Sequence, residues 1–464
     1  DVRIDVIGFQ VDSAARDELG CIADAGGGTF YDAPDAESLA AQLQRVAVRG
    51  LRVFTPDGIP VSGTPAAQGA PVIEDGRYLD DLVGPDPLHY QVDVSDGATL
   101  WVAATVRPML SGLASATSVE VEVLSVDGTR CAWNRESAIG AWAASLPLMS
   151  SVRAGDADLE RCGDGPYTLQ VEQAQAEPGE ARALELLVGH EPAVTTTDGL
   201  PARASDADWD VELTSGSAPV EPVTGSPNIA SATLVGPGRY SDTILIGETQ
   251  FFAVELDWGQ QLVCEPTLGA SAAVAQGLEG VRPTAWTRVF GPYRGELTRA
   301  HSGSTYSGTA DVTLSESTPP VRYLNREHFR TDAAAVAGTY YCAVTLEGDA
   351  EDAGVGEVPL ELAIDVLGEA GAGAPAYLEQ TEPEPTPTAA EAAGQPAGDP
   401  DEQAEEESED EEAAQRSDGM PSWLPVAVAF ALGLVVAAVA VLLVVRRNRV
   451  APAEDGDPGR QSPA

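Results

Sequence analysis

GRYLDDLVGPDPLHYQVDVSDGATLWV, residues 76–102, recurs as GRYSDTILIGETQFFAVELDWGQQLVC, residues 238–264. Gly76, Tyr78 and Asp80 match Gly238, Tyr240 and Asp242, and Arg77 matches Arg239. Further on, Tyr90, Val92, Val94, Gly97 and Leu100 face Phe252, Val254, Leu256, Gly259 and Leu262 at one constant offset. Apolar residues at every second position mark half-buried strands. The ends of the unit recur too: GPYTLQV from Gly165 parallels GTYYCAV from Gly338, and LELLVG from Leu184 parallels LELAIDVLG from Leu360. Each unit is a run of short strands broken by turn residues, roughly 120 to 140 residues long, which suits an antiparallel β-sandwich. Two such modules are expected, over 51–200 and 201–368.

The pattern is Gly-x-Tyr-x-Asp, a Gly-led turn, an aromatic alternating strand and a second Gly before another apolar strand. It resembles the prepeptidase C-terminal type of bacterial β-sandwich. That resemblance implies accessory or spacer domains on secreted proteins and supplies no catalytic residue. The repeated Tyr and Asp have two readings, a ligand site used twice or a strand-start packing and turn motif, and we favour the second. In the alignment Cys264 takes the place of Val102 and Cys342 that of Leu169, both on inward alternation, so the two should meet across the core. Cys131 and Cys162 have no counterpart in the second unit and form the other expected pair, leaving Cys21 unpaired or partnered upstream. Closing loops of about 31 and 78 residues, these bonds should each stabilise by roughly 4 kcal/mol.

Residues 1–50 follow another pattern. Val2, Ile4, Val6, Ile7 and Phe9 form a run fit for a parallel strand buried on both faces. Ser13 is a fair N-cap for a helix that Gly26, Gly27 and Gly28 stop. Thr29 to Tyr31 make a short strand, and Asp35 opens a helix with Leu39, Leu43 and Val46 on one face. Strand, helix, strand, helix is the unit of a doubly wound α/β sheet. DVIGFQVD and LGCIADAGGGTFYDAPDAESLAAQL resemble the closing part of a bacterial von Willebrand factor A domain. The resemblance implies a metal-ion-dependent adhesion site on an upstream Asp-x-Ser-x-Ser loop, where Mg²⁺ or Mn²⁺ would sit. No residue here matches a ligand of that site. Because the chain opens at Asp1 inside a strand with no leader, an N-terminally incomplete sequence is expected.

Leu424 to Val445 is an unbroken apolar run with Asp410, Glu411, Glu412 and Asp418 before it and Arg446, Arg447 and Arg449 after it. As a helix it would span about 33 Å against a hydrocarbon core of about 30 Å. Trp423 marks one membrane boundary and Arg446 and Arg447 the other, which predicts a transmembrane helix over 423–446, an N-terminal region outside the cell and a short cytoplasmic tail over 447–464. Residues 369–422, rich in Ala, Gly, Pro, Glu and Asp, read as a disordered acidic stalk.

The net charge of −47 comes from 73 acidic against 26 basic residues, every basic one Arg, which argues against nucleic-acid binding. His89, His190, His301 and His328 lack ligand spacing, and there is no Gly-x-Ser-x-Gly elbow, His-Glu-x-x-His helix or Walker loop. Asp206, Asp208 and Asp210 begin like a calcium loop, but Val211 and Ser217 stand where Gly and Glu belong, and GDAD at Gly155 and GDAED at Gly348 are weaker still. No catalytic, cofactor or metal residue is assigned in this segment, and no enzymatic activity is expected of it. The overall expectation is a multidomain, single-pass cell-surface adhesion protein. It would display a von Willebrand A type head on β-sandwich spacers to an extracellular protein or polysaccharide. The alternatives are a structural or chaperone-like subunit of an envelope complex, and the accessory region of a surface hydrolase.

Overall fold

The structure is a computed structural model and describes residues 6–25, 30–35, 39, 56–107, 116–139, 147–174, 181–211, 213–214, 218–278, 282–297, 303–348 and 357–378. Two sandwiches that share one core strand order dominate them, the second with two additional short strands. In the first, β3 (Ile59–Pro60), β4 (Gly76–Val83), β6 (Thr99–Val106), β9 (Leu148–Ala154) and β11 (Ala181–Glu191) form a sheet in the order β3-β4-β11-β6-β9. It faces a sheet of β5 (Leu88–Val92), β7 (Ala116–Leu124), β8 (Arg130–Ile139) and β10 (Tyr167–Ala174), ordered β5-β10-β7-β8. Tyr90, Val92, Leu100, Val102, Val121, Leu169, Leu184 and Leu186 fill the space between them. These are the alternate residues of each strand, as a period of two requires.

The second sandwich repeats the plan. β12 (Val220–Pro222), β14 (Gly238–Ile244), β16 (Gln261–Leu268), β19 (Val312–Thr313) and β22 (Val358–Leu367) run in the order β12-β14-β22-β16-β19, with β20 (Glu316–Ser317) also on β16. The facing sheet is β13 (Thr233–Leu234), β15 (Glu248–Leu256), β17 (Thr284–Phe290), β18 (Ser304–Thr305) and β21 (Gly338–Glu347), ordered β13-β15-β21-β17-β18. Its core holds Phe252, Val254, Leu262, Val344, Leu362 and the Cys264–Cys342 disulfide, which joins β16 to β21 across the two sheets. In both sandwiches the first short strand pairs in parallel with the second, β3 on β4 and β12 on β14.

β6 and β15 show why the sandwiches form one body. All of Thr99–Val106 is buried, as is nearly all of Glu248–Leu256. A strand on a solvated sheet would bury only alternate residues. Here the outer face of the β6 sheet lies on the outer face of the β15 sheet. Met149 of β9 packs with Ile229, Phe251, Phe290 and Ala343. Trp101 stacks flat on Tyr293, with ring centroids 5.1 Å apart and an interplanar angle of 7°. A side chain at Gly189 would meet the Tyr293 ring at 2.4 Å, so only glycine admits this approach.

Ion pairs are set among these apolar contacts. Glu185 and Arg294 pair at 3.3 Å with side chains 0% and 3% exposed. Glu185 also accepts from the Asp57 N–H at 2.7 Å and from Asn228 Nδ2 at 3.0 Å, and Arg294 donates to Thr105 Oγ1. Glu191 accepts from Arg326 at 2.7 Å, Tyr377 Oη at 2.9 Å and Trp101 Nε1 at 3.3 Å. After β22 the chain returns to the linker between the sandwiches, where Thr195 N–H donates to the Ala376 carbonyl at 2.8 Å and Leu378 N–H to that of Ala193 at 2.7 Å.

The fold corrects the α/β expectation for the N-terminal region. β1 (Val6–Phe9) and β2 (Phe30–Ala33) pair in parallel over α1 (Ser13–Ala25), and among the described residues no further strand joins them. A two-stranded ribbon beside two β-sandwiches is not a doubly wound layer, and nothing supports a von Willebrand A assignment. Leu43 and Val46 of the expected second helix lie outside the described residues.

The membrane expectation is also corrected. Among the described residues no helix is long and apolar enough to cross a membrane, the longest being the 13-residue α1. Leu424–Val445, its boundary residues Trp423, Arg446 and Arg447, residues 379–422 of the expected stalk and the 447–464 tail lie outside the described residues, whereas 369–378 of that stalk are ordered and bonded to the linker. The single-pass cell-membrane placement is therefore not retained.

Candidate binding cleft

The repeated motif residues are brought together for packing. Asp80 Oδ2 accepts from the Gly63 N–H at 2.6 Å and from Tyr90 Oη at 2.8 Å. Asp242 Oδ2 likewise accepts from the Gly225 N–H at 2.9 Å. Tyr78 Oη donates to the Glu74 carbonyl at 3.1 Å and Tyr240 Oη to that of Gly236 at 3.0 Å, each four residues back. Gly76 and Gly238 open β4 and β14 just ahead of these tyrosines. Each motif thus ties a loop to the first long strand of its sandwich.

The other sequence candidates are similarly absorbed. Asp208 accepts from Ser205 N and Oγ, both at 2.7 Å, as the N-terminal lock of a short 3-10 helix, and these bonds hold its carboxyl below the usual carboxylate range. Gly155 and Asp158 start α2 (Asp156–Cys162) in the same way. Among the described residues no group of three or more His, Cys, Asp or Glu could hold a metal ion. His89 bonds the Thr64 carbonyl and Gln170, His190 contacts Asp75 and His328 stacks on Phe329. His301 lies outside the described residues, and Cys21 is free and exposed on α1.

Among the described residues a cleft of about 700 Å³ lies between the edge of the first sandwich and two loops of the second. One wall is β8 and β9. Asn134 Nδ2 donates to the Ser151 carbonyl at 2.9 Å and Ser150 Oγ to that of Asn134 at 2.9 Å, fastening the two edge strands together. The Cys131–Cys162 disulfide fixes α2 against β8, and Arg161 of that helix donates to the Cys131 carbonyl at 2.7 Å. Trp133 stands at the mouth, 53% exposed, with the Arg130 guanidinium 5.1 Å from its ring centroid. An indole held half open in this way is unusual, because large aromatics are normally buried.

The second wall is a tight loop closed by Gly291 N–H to the Gly295 carbonyl at 2.9 Å. Its Arg294 adopts a left-handed φ of 61°, a costly conformation for a residue with a Cβ, held by the buried pair with Glu185. Burial pushes the Arg294 guanidinium down, opposed by Glu185. Tyr293, pinned on Trp101, supplies a phenol that burial pushes up to about 12. Phe329, 77% exposed, and Asp332 complete the rim. Burial raises the Asp332 carboxyl, and the nearby Arg153 opposes that rise.

An exposed ring flanked by guanidinium donors and carboxylate acceptors suits a flat ligand with one apolar face and a polar edge. Sequence reasoning missed Trp133, Phe329 and Tyr293. The one available signal was an indole in the otherwise polar strand RCAWNRES, Arg130–Ser137.

No family model matches the chain, and no curated protein matches it. Among solved structures, PNGF-II in a C2 crystal form is 9% identical over 77% of this chain and 70% of its own, with a TM-score of 0.19. The CBM22-1-CBM22-2 tandem domain of Paenibacillus barcinonensis Xyn10C is 10% identical over 61% of this chain and 82% of its own, at 0.16. The tandem CBM51 modules of Sp3GH98 from Streptococcus pneumoniae SP3-BS71 are 9% identical over 63% and 84%, at 0.15. Likeness this low carries no argument about the chain.

Proposed function

We propose that the paired sandwiches form a glycan-binding unit, without turnover of the ligand, and that the cleft beside Trp133 receives an extended polysaccharide. The observation that supports this is the half-exposed Trp133 indole lining a polar cleft. A pyranose ring has an apolar C–H face that lies on an aromatic plane, and hydroxyls around its edge that meet carboxylates and guanidinium groups. Two disulfide-bonded sandwiches locked by buried ion pairs keep that surface in place before the ligand arrives, which limits the entropy cost of binding.

The test is calorimetric titration of a broad oligosaccharide panel against the whole chain and its Trp133→Ala variant. Binding by at least one oligosaccharide, weakened about tenfold or more by the substitution (~1.4 kcal/mol), is the expected result. A panel without a single binder, or an unchanged affinity in Trp133→Ala, would overturn the proposal.

A further inference from the structure

The charges lining the cleft decide which glycans it takes. We infer that it selects uncharged sugar chains and rejects those bearing carboxylate or sulfate groups, an inference that rests on the glycan-binding reading above. Three guanidinium groups line the cleft, and each already has a partner. Arg130 pairs with Glu122 and, at 3.7 Å, with Glu120. Arg161 pairs with Asp158 at 3.3 Å, and Arg153 donates to the Arg326 carbonyl at 3.2 Å. The carboxyls of Glu136, Asp158, Glu296 and Asp332 line the same surface, Asp158 on Arg161 and Glu296 3.8 Å from Arg288, so carboxyls outnumber the three lining guanidinium groups.

An anionic sugar would have to take an arginine from its partner. Drawing Arg130 away leaves Glu122, whose side chain is 9% exposed, with no cation and only the Gln170 amide at 3.1 Å, while Glu120 keeps Arg135. A carboxylate buried that deeply and left without its cation is strongly disfavoured. The charge of the whole chain, −47, repels the same ligand before it arrives. Sugar hydroxyls meet the opposite situation. Each can donate to a carboxylate oxygen and leave the existing ion pairs in place.

The experiment matches each neutral oligosaccharide with its uronic-acid counterpart of equal length: glucan with polyglucuronate, galactan with polygalacturonate and mannan with polymannuronate. Each is titrated into the whole chain at about 20 mM and about 500 mM NaCl, a range over which screening of exposed charges changes several-fold. The neutral member of a binding pair should bind about tenfold tighter or more at low salt, and the gap should narrow at high salt. The ratio of neutral to uronate affinity within each variant should also fall in Glu136→Gln and Asp332→Asn. Equal or tighter binding of the uronate would overturn the charge selection and leave the glycan-binding reading standing. If no member of any pair bound, the glycan-binding reading itself would fall, and the selection with it.

Discussion

Asp80 and Asp242 show what a repeated residue is for when it binds no ligand. Asp80 satisfies a backbone N–H in the preceding loop and a buried phenol, while Asp242 satisfies the matching N–H beside a phenylalanine. Replacing Asp80 with Ala leaves Gly63 N–H and Tyr90 Oη without their acceptor, so a loss of about 1–3 kcal/mol is expected in urea unfolding, with a smaller loss for Asp242→Ala. Equal losses at the two sites would show that the Tyr90 bond contributes nothing. Further tyrosines repeat the device at the other end of the unit, Tyr167 reaching the Gly163 carbonyl at 2.7 Å and Tyr340 that of Val336 at 2.8 Å. The repeated Tyr and Asp were legible because they keep one offset. Gly63 and Gly225 keep the same offset within VSGTP and VTGSP and were still missed. Their role emerges only in three dimensions, where an added Cβ would strike the rings of Tyr90 and Phe252 at 2.9 and 2.8 Å.

At the scale of single elements, alternation is the legible signal and its failure the informative one. Cys264 and Cys342 sit on inward positions of β16 and β21, and a bond there closes a separation of 78 residues. Cys131, buried, and Cys162, half-buried, close 31 residues beside the sandwich edge and hold α2 on β8. Replacing the Cys264–Cys342 pair by two Ala should therefore lower stability by roughly 4 kcal/mol in denaturant unfolding. Replacing Cys131 and Cys162 should do the same and also weaken oligosaccharide binding, since that bond braces the wall bearing Trp133. If binding survived the loss of the Cys131–Cys162 bond unchanged, the wall would not depend on it. The α/β reading failed at this scale for a definite reason. Val6–Phe9, α1 and Phe30–Ala33 do form a local strand-helix-strand unit, but local periodicity carries no information about how many strands a sheet will gather. β6 misleads in the opposite direction, because Thr99–Val106 is buried on both faces by another module that no local pattern announces.

The whole molecule depends on one seam, and the seam is charged. Glu185 and Arg294 are nearly excluded from water, so removing one partner leaves the other uncompensated. Arg294→Met is expected to destabilise by about 3–5 kcal/mol, with part of that loss restored when Glu185→Gln is added. Additive losses in this double-mutant cycle, read by urea unfolding, would show that the pair is not coupled. None of this seam was legible beforehand. Nothing in the sequence around Glu185, Glu191, Arg294 and Arg326 marks them as interior, and only the stacking of two sheets makes them so. The segment that follows β22 adds a mechanical property to the seam. Tension applied to the polypeptide beyond Leu378 is taken up first where Ala376 and Leu378 are bonded to Ala193 and Thr195. Those bonds must therefore break before the pull reaches β22.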